Sequence, residues 1–79
     1  MARILLFGKL AEIAGWRRRD IVLPHDVKTL SGLRAYLADA HPEIGAASTR
    51  AAINRHVAHL DDPVTDDDEI AFMPPMSGG

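Results

Sequence analysis

Four groups of residues in this chain have types and spacing that could do chemistry. They are the terminal PPMSGG, the pair His56 and His59, the acidic residues Asp61, Asp62, Asp66, Asp67, Asp68 and Glu69, and the basic run Arg17, Arg18 and Arg19. Cysteine is absent, which excludes disulfides, thiolate metal sites, a side-chain persulfide and a thiol nucleophile. Two histidines at i, i+3 share a face only on a helix. HVAHL reads as a strand, which turns them to opposite sides, and no third ligand stands nearby, so a metal site is not expected. The acidic run lacks the glycine and the alternating ligands of a calcium loop. It reads as a solvated turn with a secondary capacity to attract basic partners. Three arginines could grip a phosphate, against the plainer reading of a solvated turn before a strand. No phosphate loop, dinucleotide fingerprint or nucleophile elbow is present. The folded body therefore contains no recognisable catalytic constellation.

The tail is different. Pro74 and Pro75 make a stiff, extended stem. Gly78 and Gly79 carry no side chains, so they can enter a channel too narrow for other residues and adopt dihedrals other residues avoid. The group such a tail would deliver is the terminal carboxylate. At up to ~3.4 Å per extended residue, residues 76–79 reach about 13 Å beyond the stem. Composition alone equally accommodates a frayed end or a cloning remnant.

Several elements must position these groups. Residues 3–8, RILLFG, read as a strand with Ile4 and Leu6 on one face and Leu5 and Phe7 on the other. KLAEIA has the composition of a short helix, stopped by Gly15. A second strand is expected over residues 19–23, before Pro24. TLSGLRAYLADAHP reads as the main helix. Thr29 is its N-cap, Leu30, Leu33, Leu37 and Ala40 form its apolar stripe, and Pro42 is its stop. Gly32 inside it costs ~1 kcal/mol against alanine. RAAIN and HVAHL read as short strands around a turn at Asn54 and Arg55, and EIAFM as the last strand.

The order β-α-β-α-β-β-β with one long helix implies a two-layer α+β domain over residues 1–75, followed by a tail at 76–79. The first and last strands are apolar on both faces, which places them centrally. One helix covers one sheet face, so the other exposes Leu5 or Phe7, Val57 and Met73, a patch that calls for a partner. A net charge of −2 gives no field favouring nucleic acid or an anionic membrane. No apolar run approaches the ~20 residues of a membrane span, and no signal-peptide pattern opens the chain, so a cytoplasmic location is expected.

VTDDDEIAFMPPMSGG resembles the C-terminus of the molybdopterin synthase small-subunit family, the MoaD-like sulfur carriers. RILLFGKLAEIAG is similar to that family's first strand and short helix, TLSGLRAYLADAHP to its main helix, and AAINRHVAHLDDPVTDDDEI to its asparagine turn and acidic loop. The resemblance implies a ubiquitin-like β-grasp fold and a sulfur-carrier role. An adenylyltransferase of the ubiquitin-activating type would use ATP to convert the Gly79 carboxylate to an acyl-adenylate. Sulfur from a persulfide donor would then leave a thiocarboxylate. The tail would enter the large synthase subunit, in an expected heterotetramer, and pass sulfur to cyclic pyranopterin monophosphate to build the dithiolene. Gly79 would carry the reacting group and Gly78 would allow entry, while Phe7, Val57, Met73, Pro74, Pro75, Met76 and Ser77 would meet partners. No cofactor or metal is expected on the chain itself. The family gives no role to Arg17, Arg18 and Arg19. Carriers and modifiers serving thiamine, cysteine, tRNA thiolation or lysine conjugation share the fold and the tail, and an inert β-grasp interaction module is the plainest rival.

Overall fold

The computed structural model describes residues 1–46 and 48–74. Its elements are β1 (Ala2–Leu6), α1 (Lys9–Ala14), β2 (Arg18–Ile21), α2 (Leu30–Ala38), a 3-10 turn (Pro42–Gly45), β3 (Arg50–Ile53), β4 (His56–Val57) and β5 (Glu69–Met73). The strands form one sheet in the order β2-β1-β5-β3-β4. β1 and β5 pair in parallel, with Ile4 opposite Ile70 and Leu6 opposite Phe72; the β1–β2, β3–β5 and β3–β4 pairs are antiparallel. The two strands that are apolar on both faces lie inside the sheet, where both faces have work to do.

Ile4, Leu6, Ile70 and Phe72 point from the sheet into the core, where Leu30, Leu33 and Leu37 of α2 meet them, with Leu10, Ile44 and Val64 closing the sides. This is the β-grasp arrangement of one helix held across one face of a mixed sheet. Among the described residues no helix is long and apolar enough to cross a membrane.

The boundaries have local causes. Gly15 ends α1 at φ 87°, a left-handed conformation that glycine adopts without penalty. Asn54 and Arg55 make the β3–β4 turn at φ 50° and 71°, and the Asn54 side chain bridges it to β5 by accepting from the Glu69 N–H at 2.9 Å and donating to Asp68 Oδ1 at 2.8 Å. Thr29 caps α2, its hydroxyl oxygen accepting from the Gly32 N–H at 3.2 Å. The N–H groups of Leu30 and Ser31 donate to the carbonyls of Asp62 and Leu60, each at 2.9 Å, so the loop before β5 satisfies donors that a helix start leaves open. Thr29→Ala is expected to cost about 1 kcal/mol in urea denaturation; an unchanged midpoint would show the loop carbonyls alone suffice.

Four local expectations need correction. HVAHL is a strand only over His56–Val57, and the chain then turns back through His59, whose N–H donates to Asp62 Oδ2. β2 runs from Arg18 to Ile21 rather than through Leu23, because the Leu23 N–H donates to Asp66 Oδ1 at 2.8 Å instead of to a strand. α2 ends at Ala38, so Ala40 lies past the helix, exposed. Pro42 does not stop α2 but opens the 3-10 turn, where its missing N–H costs nothing.

Candidate functional site

The face of the sheet opposite α2 has a shape set by side-chain size. Along β5, Ile70 and Phe72 are buried, while Glu69, Ala71 and Met73 turn the other way. Ala71 sits between Leu5 of β1 and Ala52 of β3 in register. Ala71 and Ala52 keep this part of the face low beside Leu5. Phe7, Val57 and Met73 rise around it, and Arg55 and Glu69 complete the lining of a depression of about 530 Å³. Phe7 is 48% exposed and Val57 83% exposed, far more than packing inside the chain would leave them. Arg55 Nε lies 3.9 Å from Glu69 Oε1 at the edge, so the depression has an apolar centre and a charged margin, the composition of a docking surface.

The last described residue, Pro74, leaves from the same place. The Phe7 N–H donates to the Phe72 carbonyl at 3.1 Å, carrying the β1–β5 ladder to the end of β5. Gly8 then turns the chain at φ 57°, and a Cβ on it would lie 3.2 Å from Pro74 Cγ. The absence of a side chain lets the stem lie against β1 at the point where β1 turns into α1. Pro75, Met76, Ser77, Gly78 and Gly79, which the sequence assigns to partner contact and to the reacting end, lie outside the described residues.

The structure brings Phe7, Val57, Met73 and Pro74 to one region, with Glu69 of the acidic run in its lining and Arg17 and Arg18 in a neighbouring hollow that shares Phe7. His56 lies in the two-residue β4, and His59 follows that strand, its N–H donating to Asp62 Oδ2 at 2.8 Å. Among the described residues no three His, Cys, Asp or Glu side chains gather as metal ligands. Three residues of the acidic run, Asp62, Asp66 and Asp68, brace turns through backbone N–H groups. Asp68 Oδ2 accepts from the Thr65 N–H and Asp66 Oδ1 from the Leu23 N–H, each at 2.8 Å. Arg19 stacks over the Trp16 ring at 4.5 Å, and Trp16 Nε1 donates to His41 Nε2 at 3.1 Å. This clasp joins the start of β2 to the end of the helical layer and was not visible in the sequence, because its members are 25 residues apart. Ala52, Ala71, Arg55 and Glu69 were also missed as lining residues; the two-residue alternation of EIAFM, extended through its alanine, was the signal available for Ala71.

The model of the ThiS family matches residues 4–79. The chain is 31% identical to the molybdopterin synthase sulfur carrier subunit of Escherichia coli (strain K12) over 100% of both chains. It is 35% identical to the protein of the same name from Dictyostelium discoideum, covering 98% of this chain and 94% of that one. Among solved structures it resembles the H. volcanii small archaeal modifier protein 1, with a TM-score of 0.78 and 26% identity over 95% of this chain and 97% of that one. It also resembles a chain in the complex of subunits 1 and 2 of the molybdopterin-converting factor from Helicobacter pylori 26695. There the TM-score is 0.67 at 26% identity, covering 99% and 97% of the two chains.

Proposed function

This chain belongs to the ThiS family, and on that premise we propose that it is the sulfur carrier subunit of a molybdopterin synthase. The observation that carries this reading is the end-to-end likeness to curated sulfur carrier subunits, together with an exposed apolar face beside the tail's point of departure.

On this reading the Gly79 carboxylate carries the sulfur, and the chain, which has no cysteine, supplies no thiol of its own. A carboxylate is a poor acylating group. Attack of a Gly79 carboxylate oxygen on the α-phosphorus of ATP, in the site of an adenylyltransferase, expels pyrophosphate and leaves an acyl-adenylate. A persulfide sulfur then attacks the acyl carbon and AMP departs. Cleavage of the resulting acyl disulfide by a thiol leaves the thiocarboxylate on Gly79. The large synthase subunit receives this tail and directs its sulfur to cyclic pyranopterin monophosphate, in a heterotetramer of two carriers and two large subunits. The chain contributes reach, a narrow tip and a docking face; the catalytic groups belong to its partners.

The test is the intact mass of the chain after incubation with its activating enzyme, ATP and a sulfur donor. One oxygen exchanged for one sulfur at the C-terminus is expected. A chain that stays unmodified beside an enzyme proven on another carrier would refute the reading. The likeness to a small archaeal modifier protein favours one second reading, transfer of the activated terminus to lysines, which would show as lysine-linked adducts once acceptor proteins are added to the same mixture and weighed as well.

The docking face gives a separate prediction. Phe7→Ala is expected to weaken binding to the large subunit by at least about 2 kcal/mol, roughly 30-fold in Kd, by calorimetry. The side chain is half exposed in the free chain, so melting should move little. An unchanged Kd would remove Phe7 from the interface.

A further inference from the structure

We propose that the hollow bounded by Lys9, Arg17 and Arg18 extends the apolar docking face, and that the large subunit covering that face presents carboxylates to these cations. The proposal rests on the sulfur-carrier reading above and deepens it, stating the chemistry the partner must bring and the margin of the face that receives it.

The hollow and the docking depression are continuous. The hollow has a volume of about 440 Å³, and its lining includes Leu5, Phe7, Lys9, Arg17 and Arg18, with Glu12 its one acid. Leu5 and Phe7 line the docking depression as well. Strand register explains the join. Arg18 lies opposite Leu5 across the antiparallel β1–β2 pair. Residues directly opposite one another share a face of the sheet, so Arg18 stands on the face that carries Leu5. The Leu6 N–H donates to the Arg17 carbonyl at 2.9 Å, which continues that ladder toward Phe7. Lys9 opens α1 where Gly8 turns the chain. All three cations are exposed.

Two margins of this face differ in how their charges are met. Where β1 and β5 begin, Arg3 lies 3.8 Å from Asp20 and 3.7 Å from Glu69, and Arg55 lies 3.9 Å from Glu69. Arg3 and Arg55 are matched there by acids of the chain itself. In the hollow, among the described residues, Lys9 and Arg17 have no carboxylate within 4.0 Å, and Arg18 reaches only Asp20, at 3.7 Å, an acid it shares with Arg3. A net charge of −2 means no general excess of cations produced this.

A partner that buries Phe7 also overhangs the hollow, because Phe7 belongs to both depressions. Seating it drives water from the cations along that margin. A cation stripped of water without a counter-charge is costly. One that meets a carboxylate is compensated and gains direction from charge-assisted hydrogen bonds. Carboxylates are therefore the groups this margin fits. Since the opposite margin is already paired within the chain, the contact also sets how the carrier is oriented on its partner, a like charge brought to the hollow being penalised.

The experiment measures the Kd of the full chain with its large subunit by calorimetry, at low and at physiological salt. The activating enzyme serves as comparator, and thermal melting verifies the fold. Lys9→Glu and Arg17→Glu are tested separately. Lys28→Glu is the control, an equal change of charge at an exposed position outside both depressions. Wild-type affinity is expected to fall several-fold as the Debye length shortens to about 8 Å at physiological salt. Lys9→Glu and Arg17→Glu are each expected to weaken low-salt binding about 10-fold and to flatten the salt dependence, while Lys28→Glu stays within about 2-fold of wild type. Phe7→Ala is expected to weaken binding at both salts and keep the salt dependence, which separates the apolar contribution from the charged one. If either glutamate variant binds like Lys28→Glu, the extension is overturned and the carrier reading stands. Weakening toward the activating enzyme alone overturns the assignment to the large subunit. A wild-type chain that binds no large subunit overturns the carrier reading and this contact with it.

Discussion

Deleting Gly79 is expected to lower sulfur loading and molybdopterin formation at least a hundredfold, with the melting temperature unchanged within about 3 °C. The deletion leaves a carboxylate, now on Gly78, so the loss would not come from removing the functional group. It would come from reach. One extended residue spans ~3.4 Å, and reacting atoms must come within about 3–3.5 Å of each other, where even a 1 Å misplacement can cost about 100-fold. The Pro74 stem, held beside Gly8, fixes the starting point, so the tail cannot recover the missing length by sliding. No cysteine elsewhere in the chain can take over as a sulfur site. Adding a residue after Gly79 should be equally damaging for a different reason, since an amide then stands where the carboxylate is needed. The measurement is intact mass for loading, and product formation with the large subunit for transfer. Retained activity in both variants would mean the terminus is not the carrier.

The features that were legible in the sequence are those whose causes are local. β5 was read from the alternation in EIAFM, the β3–β4 turn from an asparagine that tolerates positive φ, and the start of α2 from a threonine whose hydroxyl reaches the Gly32 N–H. The exposed face followed from one further step, that a single helix covers only one side of a sheet that is apolar on both. What escaped was set by contacts between distant segments. β2 stops early because Asp66, 43 residues away, takes the Leu23 N–H. The acidic run, which by composition is merely solvated, spends three of its carboxylates on backbone donors and so holds the loop that caps α2. The basic run divides only in three dimensions: Arg19 stacks over Trp16, whereas Arg17 and Arg18 lie against Leu6 and Leu5 at the end of β1 that the sheet sets beside the end of β5. No local pattern carries that placement, because it depends on the parallel pairing of the first and last strands.

That pairing is also where stability and function meet, which makes Phe72→Ala the most costly single change expected in the folded body. Phe72 is fully buried and sits in the penultimate position of β5, opposite Leu6 and Ala51. Truncating a buried phenylalanine costs about 3–5 kcal/mol through lost burial and the cavity left behind. Folded domains hold about 5–15 kcal/mol in all, and a small core stands toward the lower end. With no disulfide to fall back on, the variant is expected to lose roughly 12–40 °C in melting temperature, at about 4–8 °C per kcal/mol for a domain of this size. The Phe72 carbonyl also accepts the Phe7 N–H, so loosening β5 frees both the aromatic rim of the docking face and the base of the stem. Binding to the large subunit should therefore weaken even below the melting transition, whereas Val57→Ala, at an 83% exposed position, should leave the melting temperature nearly unchanged. A Phe72→Ala chain that melted within about 5 °C of wild type would mean that β5 is held by its ladder alone, and that the core beneath it contributes little to aiming the tail.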